Sequence, residues 1–186
     1  MKHLGTKTLE TKRLILRPFT TDDAQAMYDN WASDEDVTRF LTWPAHESVE
    51  ITKMVLSDWV SHYGEGDFYQ WAIALKEGDI PVGSISVVEY SDRAEKAQVG
   101  YCIGKNWWHQ GITSEALQAV IDFLMDEVRY SRVEAIHDPE NPNSGRVMRK
   151  CGMQYEGTQR RSIWCTQGIR DACWYAILAD DRRVKP

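Results

Sequence analysis

A chain of 186 residues is long enough for one ordinary domain with a single sizeable core. Its 28 acidic and 22 basic side chains leave a net charge of −6, which disfavours general nucleic-acid binding, a task for a basic surface. No apolar run reaches the roughly 18 residues needed to cross a membrane, and residues 1–6 are too polar for a secretory signal, so a cytoplasmic protein without a membrane partner is expected. The four cysteines (Cys102, Cys151, Cys165, Cys173) show no C-x-x-C spacing, so packed, reduced thiols are expected rather than a metal site or redox pair.

Residues 9–17 read as a strand, with Leu14 and Leu16 alternating against Arg13 and Arg17. Thr20 then caps a helix, with Asp23 three residues on and Ala24, Met27, Tyr28 and Trp31 on its buried face. A polar break at residues 33–36 and the segment 40–44 lead to a helix over about residues 47–63. That helix is expected to bury Ile51, Val55, Trp59 and Tyr63 or their neighbours. Asp58 and His62 lie four apart on it, but two ligands do not make a metal site, and a solvated ion pair is expected. The period changes to two at Tyr69, Trp71, Ile73 and Leu75. Glu77-Gly78-Asp79 reads as a hairpin turn, with residues 82–88 as the return strand.

A loop over residues 90–96 hands over to a strand at 97–103, a tight turn at 106–111, and a helix. The helix carries an apolar stripe of Ile112, Ala116, Ala119, Val120, Phe123 and Leu124, opposite Glu115, Gln118, Asp122 and Asp126. Residues 132–136 form a further strand, and residues 144–150 a short helix that Gly152 ends. Residues 153–164 and 170–178 read as a last hairpin around Thr166-Gln167-Gly168. The polar tail 180–186 is expected to fray.

The strand–turn–helix at 97–127 is where the chemistry gathers. The first N–H groups of a helix have no intrahelical partner, and with the helix dipole they attract phosphate. Gly111 lets the backbone approach such a group without a Cβ in the way. Neither G-x-G-x-x-G nor G-x-x-x-x-G-K-[ST] occurs there, which excludes a Rossmann fingerprint and a P-loop.

Trp108-His109-Gln110-Gly111-Ile112-Thr113 resembles the pyrophosphate loop of the GNAT acetyltransferases, Q/R-x-x-G-x-G/A. Asn141, Ser144, Val147, Lys150, Gly152 and Met153 resemble the family's later signature, N-x-x-S-x-x-V-x-x-K-x-G-F. With Thr11-Lys12-Arg13-Leu14-Ile15-Leu16-Arg17-Pro18 and Tyr155-Glu156-Gly157-Thr158-Gln159-Arg160, they resemble the branch containing the ribosomal-protein-alanine N-acetyltransferases. The resemblance runs over nearly the whole chain and implies that residues 1–186 form a single GNAT acetyltransferase domain. The implied fold is α/β (α+β), a mixed, largely antiparallel sheet of about seven strands with about four helices. In it the strands at 97–103 and 132–136 are parallel and splay apart.

The same resemblance implies acetyl-CoA as cofactor. Its pantetheine arm would enter the split and pair with the first strand, where splaying leaves backbone groups in need of partners. Its diphosphate would rest on Gln110 and the amides of Gly111, Ile112, Thr113 and Ser114 in the loop that Trp108 opens, with His109 and Lys150 also on the cofactor and Asn141 on its arm. The acetyl oxygen would face an amide near Cys102 or Ile103, which could also hold an oxyanion. Thr113 stands where the family has Gly or Ala, and its hydroxyl could bind phosphate or its β-branch crowd the loop. Trp108 is also readable as a packing aromatic, and Asn141 and Ser144 as helix caps.

The implied reaction is acetyl transfer to a primary amine by direct attack in a ternary complex. The acceptor would be the N-terminus of a ribosomal or other protein, or a small-molecule amine. Met148 stands where other members carry a tyrosine acid, so Ser144 is the nearest hydroxyl for the leaving thiolate. Gln98 stands where relatives often carry a glutamate, and it cannot act as a base. His137, Glu89 and Glu134 remain for that role, His137 having the suitable intrinsic pKa. Trp43, followed by Pro44, makes a stiff wall on the acceptor side, where Glu89 is the second candidate. A hydrolase built from Ser144, His137 and Asp138 fits by residue type but lacks G-x-S-x-G. Gln98 and Met148 keep one alternative open, a non-catalytic acyl-CoA-binding regulatory module. A monomer or a homodimer is expected.

Overall fold

The computed structural model describes residues 1–183. Residues 9–17 form a hairpin instead of one strand. In it β1 (Leu9–Glu10) pairs antiparallel with β2 (Leu14–Arg17), and Leu9 lies opposite Leu16. Thr11 holds the turn: its N–H donates to the Leu14 carbonyl and its hydroxyl accepts from the Leu14 N–H, both at 3.0 Å. Leu9 is out of phase with Leu14 and Leu16, and that phase break is the turn.

The capped helix starts as a 3-10 turn (Thr21–Asp23), continues as α1 (Ala24–Met27) and ends in a wide π turn (Tyr28–Ala32). Its capping box is formed, with Asp23 accepting from the Thr20 N–H at 2.8 Å. Arg17 grips the same carboxylate through two nitrogens at 2.8 and 2.9 Å, tying the helix start to β2. The expected polar break is largely the short helix α2 (Glu35–Thr38). In α3 (Val49–His62) the fully buried residues are Thr52 and Leu56, neighbours of the expected Ile51 and Val55; Val55, Trp59 and Tyr63 pack half-buried on the same core, and Ile51 is exposed. Thr52 tolerates burial because its hydroxyl bonds His46 Nδ1 at 2.8 Å. Asp58 and His62 are an exposed ion pair at 3.7 Å.

The remaining elements are β3 (Gln70–Leu75), β4 (Ile80–Ser91), β5 (Lys96–Ile103), α4 (Ile112–Phe123), β6 (Arg132–His137), α5 (Pro142–Lys150), β7 (Gln154–Cys165), β8 (Gly168–Leu178) and α6 (Ala179–Arg183). The start of the expected frayed tail is thus helical, and Arg182 anchors it to Asp122 at 2.8 Å and Asp126 at 2.9 Å. Residues 184–186 of that tail lie outside the described residues.

All eight strands join one sheet in the order β1-β2-β3-β4-β5-β6-β8-β7, one more than expected because the first strand divides. Trp71 and Ile73 pack in one core with Leu117, Val120 and Ile121 of α4. Ala72, between them, joins a second core with Phe19, Met27, Trp31 and Leu56. Helices therefore cover both faces, and β3 is buried almost throughout instead of alternating. Each fully buried Leu, Ile or Val of these cores contributes about 1.5–3 kcal/mol of transfer free energy.

Among the described residues only β5 and β6 are parallel neighbours, with Lys96, Ala97 and Gln98 opposite Arg132, Val133 and Glu134. Beyond that point β5 stays with β4 as far as Ile103, and β6 stays with β8 as far as His137. The two strands therefore part in a V. Its closed end is pinned by the buried Glu134 carboxylate, which takes Lys96 and Arg132 at 2.8 Å each. Among the described residues no helix is long and apolar enough to cross a membrane.

Candidate active site

The parting of β5 and β6 opens a cleft of about 900 Å³. Alternation along β5 gives it two sides. Cys102 packs towards the core under α1 and α3, and Tyr101 towards the core under α4. The V is a passage between the two faces of the sheet.

On the α4 side, the chain leaves β5 and closes a loop in which Trp108 Nε1–H donates to the Ile103 carbonyl at 2.9 Å. His109 and Gly111 both have left-handed backbones, at φ 61° and 75°, and α4 starts immediately after Gly111 with no side-chain cap. A Cβ at position 111 would be strained there and would stand 3.2 Å from Lys150 Nζ and 3.7 Å from an Arg13 guanidinium nitrogen. Two cations thus converge on an uncapped helix N-terminus, a ready anion site. Arg13 is held in place by Glu115 at 2.7 Å and by the Gln110 carbonyl at 3.0 Å. Burial pushes the Glu115 carboxyl up, but hydrogen bonds from Thr11 and Arg13 bring it below the usual carboxylate range, so it stays charged opposite Arg13.

Of the loop residues singled out by sequence, Trp108, His109, Gly111, Thr113 and Ser114 line the cleft. Cys102, Ile103, Asn141, Ser144 and Lys150 line it too. Gln110 and Ile112 are not in the lining. The Gln110 amide donates instead to the Asn106 carbonyl at 2.7 Å, and Ile112 is buried in the core. Arg13 went unassigned by sequence reasoning, because nothing local links residue 13 to residue 111.

Ser144 sits in the first turn of α5 and meets Tyr101 across the V. The Tyr101 hydroxyl lies 2.9 Å from Ser144 Oγ and 3.1 Å from the Ser144 carbonyl oxygen. Nothing local in the sequence links Tyr101, in the strand at 97–103, to Ser144. Met148 is buried, in line with the loss of any acid at that position. His137 lines the cleft, with Nδ1–H donating to the Asp138 carbonyl at 2.8 Å. Its Nε2 is aimed at α5, 2.6 Å from where a Gly145 side chain would begin. The Asp138 carboxylate is buried and taken by Arg170 Nε and the Glu140 N–H, each at 2.8 Å. Ser144, His137 and Asp138 therefore do not form a hydrolytic triad.

Glu134 is engaged at the closed end of the V. Glu89 is exposed and outside the cleft lining, which Ser84, Ser86 and Val88 of β4 reach. The register of β4 shifts between Val87 and Glu89 and sets Glu89 opposite Gln98. Burial pushes the Cys102 thiol up, and its contact is the Ser84 hydroxyl at 3.4 Å, so it is a poor nucleophile.

The opposite wall is assembled from distant segments. Phe40, Leu41 and Trp43 come from the loop after α2, Trp59 from α3, and Ile163 and Trp164 from β7. Trp43 lies against the His46 ring at 5.2 Å. Thr166, at the tip of the β7–β8 hairpin, pins that loop: its hydroxyl donates to the Arg39 carbonyl at 2.7 Å and its N–H to the Leu41 carbonyl at 3.0 Å. Lys105 ties the loop below the phosphate corner to Asp34, at 3.1 Å, and to Asp36.

Comparison with known proteins agrees with this geometry. A family model described as an acetyltransferase (GNAT) domain matches residues 13–154. The uncharacterized N-acetyltransferase p20 of Bacillus licheniformis is 30% identical over 172 residues, covering 92% of this chain and 96% of that protein. The [ribosomal protein uS5]-alanine N-acetyltransferase of Escherichia coli is 26% identical over 181 residues, covering 93% and 91%. A GNAT-family acetyltransferase from Bacillus anthracis superposes with a TM-score of 0.82 at 27% identity, over 94% of this chain and 99% of that one. Two splayed parallel strands, an anion corner at a helix start and these matches lead to one family: the chain belongs to the GNAT acetyltransferases and is an acetyl-CoA-dependent N-acetyltransferase.

Proposed function

We propose that the protein acetylates the α-amine of a protein N-terminus or small molecule, by direct attack on the thioester while both substrates are bound. The observation that carries this reading is the V, which joins a cationic corner on one face of the sheet to an aromatic-walled recess on the other. The whole chain would act as one GNAT domain.

The residues fit the donor. Gly111, Arg13 and Lys150 form a corner that a diphosphate would neutralise, with the amides after Gly111 pointing at it. Beyond Gln98 the β6-facing edge of β5 lacks a strand partner, so a peptide-like arm would satisfy backbone groups there. Acetyl-CoA supplies the activated acetyl group. An amide at Cys102 or Ile103 would hold the negative charge that develops on the acetyl oxygen. The Ser144 hydroxyl would donate a hydrogen bond to the departing thiolate, a task that needs little acid strength, since an ordinary thiol has a pKa of about 8.5.

The acceptor would come in past Trp43 and Trp164. An α-amine with a pKa of about 8 is partly unprotonated near neutrality, unlike a lysine at about 10.4, so this site needs little from a base. His137, which lines the cleft, is the group that would make that small contribution. The E. coli relative is named for N-acetylation of an alanine, whose side chain has no amine, and that supports an α-amine acceptor.

Adding pure protein and isotopically labelled acetyl-CoA to a cell extract, followed by mass spectrometry, tests this. Label is expected on α-amines. Label confined to lysine side chains would overturn the acceptor assignment.

A further inference from the structure

Tyr101 and Ser144 make a hydrogen-bonded pair across the open part of the V, and no part of the reaction so far uses the tyrosine. We infer that Tyr101 is a positioning residue that acts through Ser144: it switches its hydroxyl hydrogen between two acceptors and so frees the serine to donate to the leaving sulfur. The inference rests on the Ser144 reading above.

The two distances define the switch. One phenolic hydrogen serves two oxygens of the same residue, the Ser144 carbonyl at 3.1 Å and Oγ at 2.9 Å. When Tyr101 donates to the carbonyl, its oxygen is left to accept from the Ser144 hydroxyl, and the serine has no hydrogen to offer elsewhere. When Tyr101 donates to Oγ, the serine hydrogen must turn away, and the cleft that both residues line is where it can go. No covalent bond is made or broken and no proton changes owner. Two O–H groups rotate, and the second state is favoured when negative charge appears on the sulfur. Hydrogen bonds in a chain polarise one another, so the donation from Tyr101 strengthens that from Ser144.

Three features suit the tyrosine to this task. Burial pushes its phenol far above the ordinary range, so it remains a donor at any working pH. Its ring packs against the core under α4, which fixes the hydroxyl. It projects from β5 and Ser144 from α5, so the pair spans the gap where the two strands no longer bond each other.

The test measures the thiol of bound CoA, not turnover alone. Its ionisation, read from ultraviolet thiolate absorbance across pH, is compared for wild type, Tyr101→Phe, Ser144→Ala and the double variant. Wild type is expected to lower the bound thiol pKa by about one unit from about 8.5. Tyr101→Phe should remove more than half of that shift, with CoA affinity by calorimetry unchanged. In the Ser144→Ala background, adding Tyr101→Phe should change neither the thiol pKa nor kcat. If Ser144→Ala raises the thiol pKa and Tyr101→Phe does not, the relay is overturned and the serine role stands. If Ser144→Ala leaves the thiol pKa unchanged, the serine reading fails first. Should Tyr101→Phe fold poorly, fluorination of Tyr101 makes a stronger donor and should lower the bound thiol pKa further. No change on fluorination would also overturn the relay.

Discussion

At the phosphate end of the cleft, one stretch of backbone from Trp108 to Ser114 supplies the loop and the helix start, and two side chains, Arg13 and Lys150, complete it. At the acceptor end, the wall comes from α3, the loop after α2 and the β7–β8 hairpin, joined by a few contacts such as those of Thr166. On the proposed reading the first region would bind the donor through groups every peptide has, oriented by a strand and a helix. The second would recognise the acceptor through side chains of the α2–α3 loop and the β7–β8 hairpin. Relatives that share the donor can therefore keep one end and vary the other, and fold alone does not settle the acceptor.

The contrast breaks most visibly at Gly111. Gly111→Asp places a carboxylate in a left-handed position between Lys150 and Arg13, where it occupies the corner and repels phosphate. Acetyl-CoA affinity should fall at least tenfold, about 1.4 kcal/mol, by calorimetry, with the fold retained by circular dichroism while the left-handed backbone lowers the melting temperature. Unchanged affinity would remove the corner from the donor site.

Trp43→Ala should act on the other end alone. The acceptor KM is expected to rise by about tenfold, with acetyl-CoA affinity unchanged. If both constants move together, Trp43 serves the core and not the acceptor recess.

A smaller effect is expected at Thr166. Thr166→Val removes the hydroxyl donor to the Arg39 carbonyl and keeps the N–H bond to Leu41. A net hydrogen bond is worth about 0.5–1.5 kcal/mol, so the acceptor KM should rise roughly two- to tenfold as the loop loosens. A matching rise in the acetyl-CoA dissociation constant would show that the two ends are not separable.

The smallest effect belongs to His137. A direct general base is typically worth about 10²–10⁴-fold, whereas His137→Gln should lower kcat/KM by about threefold or less, with the pH profile retaining its shape. A hundredfold loss would mean that the ring leaves Gly145 and takes the amine proton itself.

The same contrast explains what could be read from the residues. The strand, loop and helix around Gly111 are contiguous, so the anion corner was legible, and the family resemblance supplied the splayed pair. The β1–β2 turn is hidden because Leu14 and Leu16 alternate clearly against Arg13 and Arg17, although Leu9 already lies in the other phase. The burial of Thr52 in α3 depends on its bond to His46, a partner no periodicity announces. Arg13 beside Gly111 and Tyr101 beside Ser144 are long-range pairings of ordinary residues, and only the folded chain brings them together. Glu89 stays exposed outside the cleft lining, and the register shift between Val87 and Glu89 that sets its place on β4 is a bulge no alternation in the sequence announces.

The central claim is that the V lets donor and acceptor meet directly, with no acetylated enzyme between them. Initial rates over a grid of acetyl-CoA and acceptor concentrations test it, using an acceptor found by labelling. The half-buried Cys102 thiol, pushed up in pKa by desolvation, argues against a covalent relay, so intersecting double-reciprocal lines are predicted. Parallel lines, with a burst of CoA release in the absence of acceptor, would contradict the account.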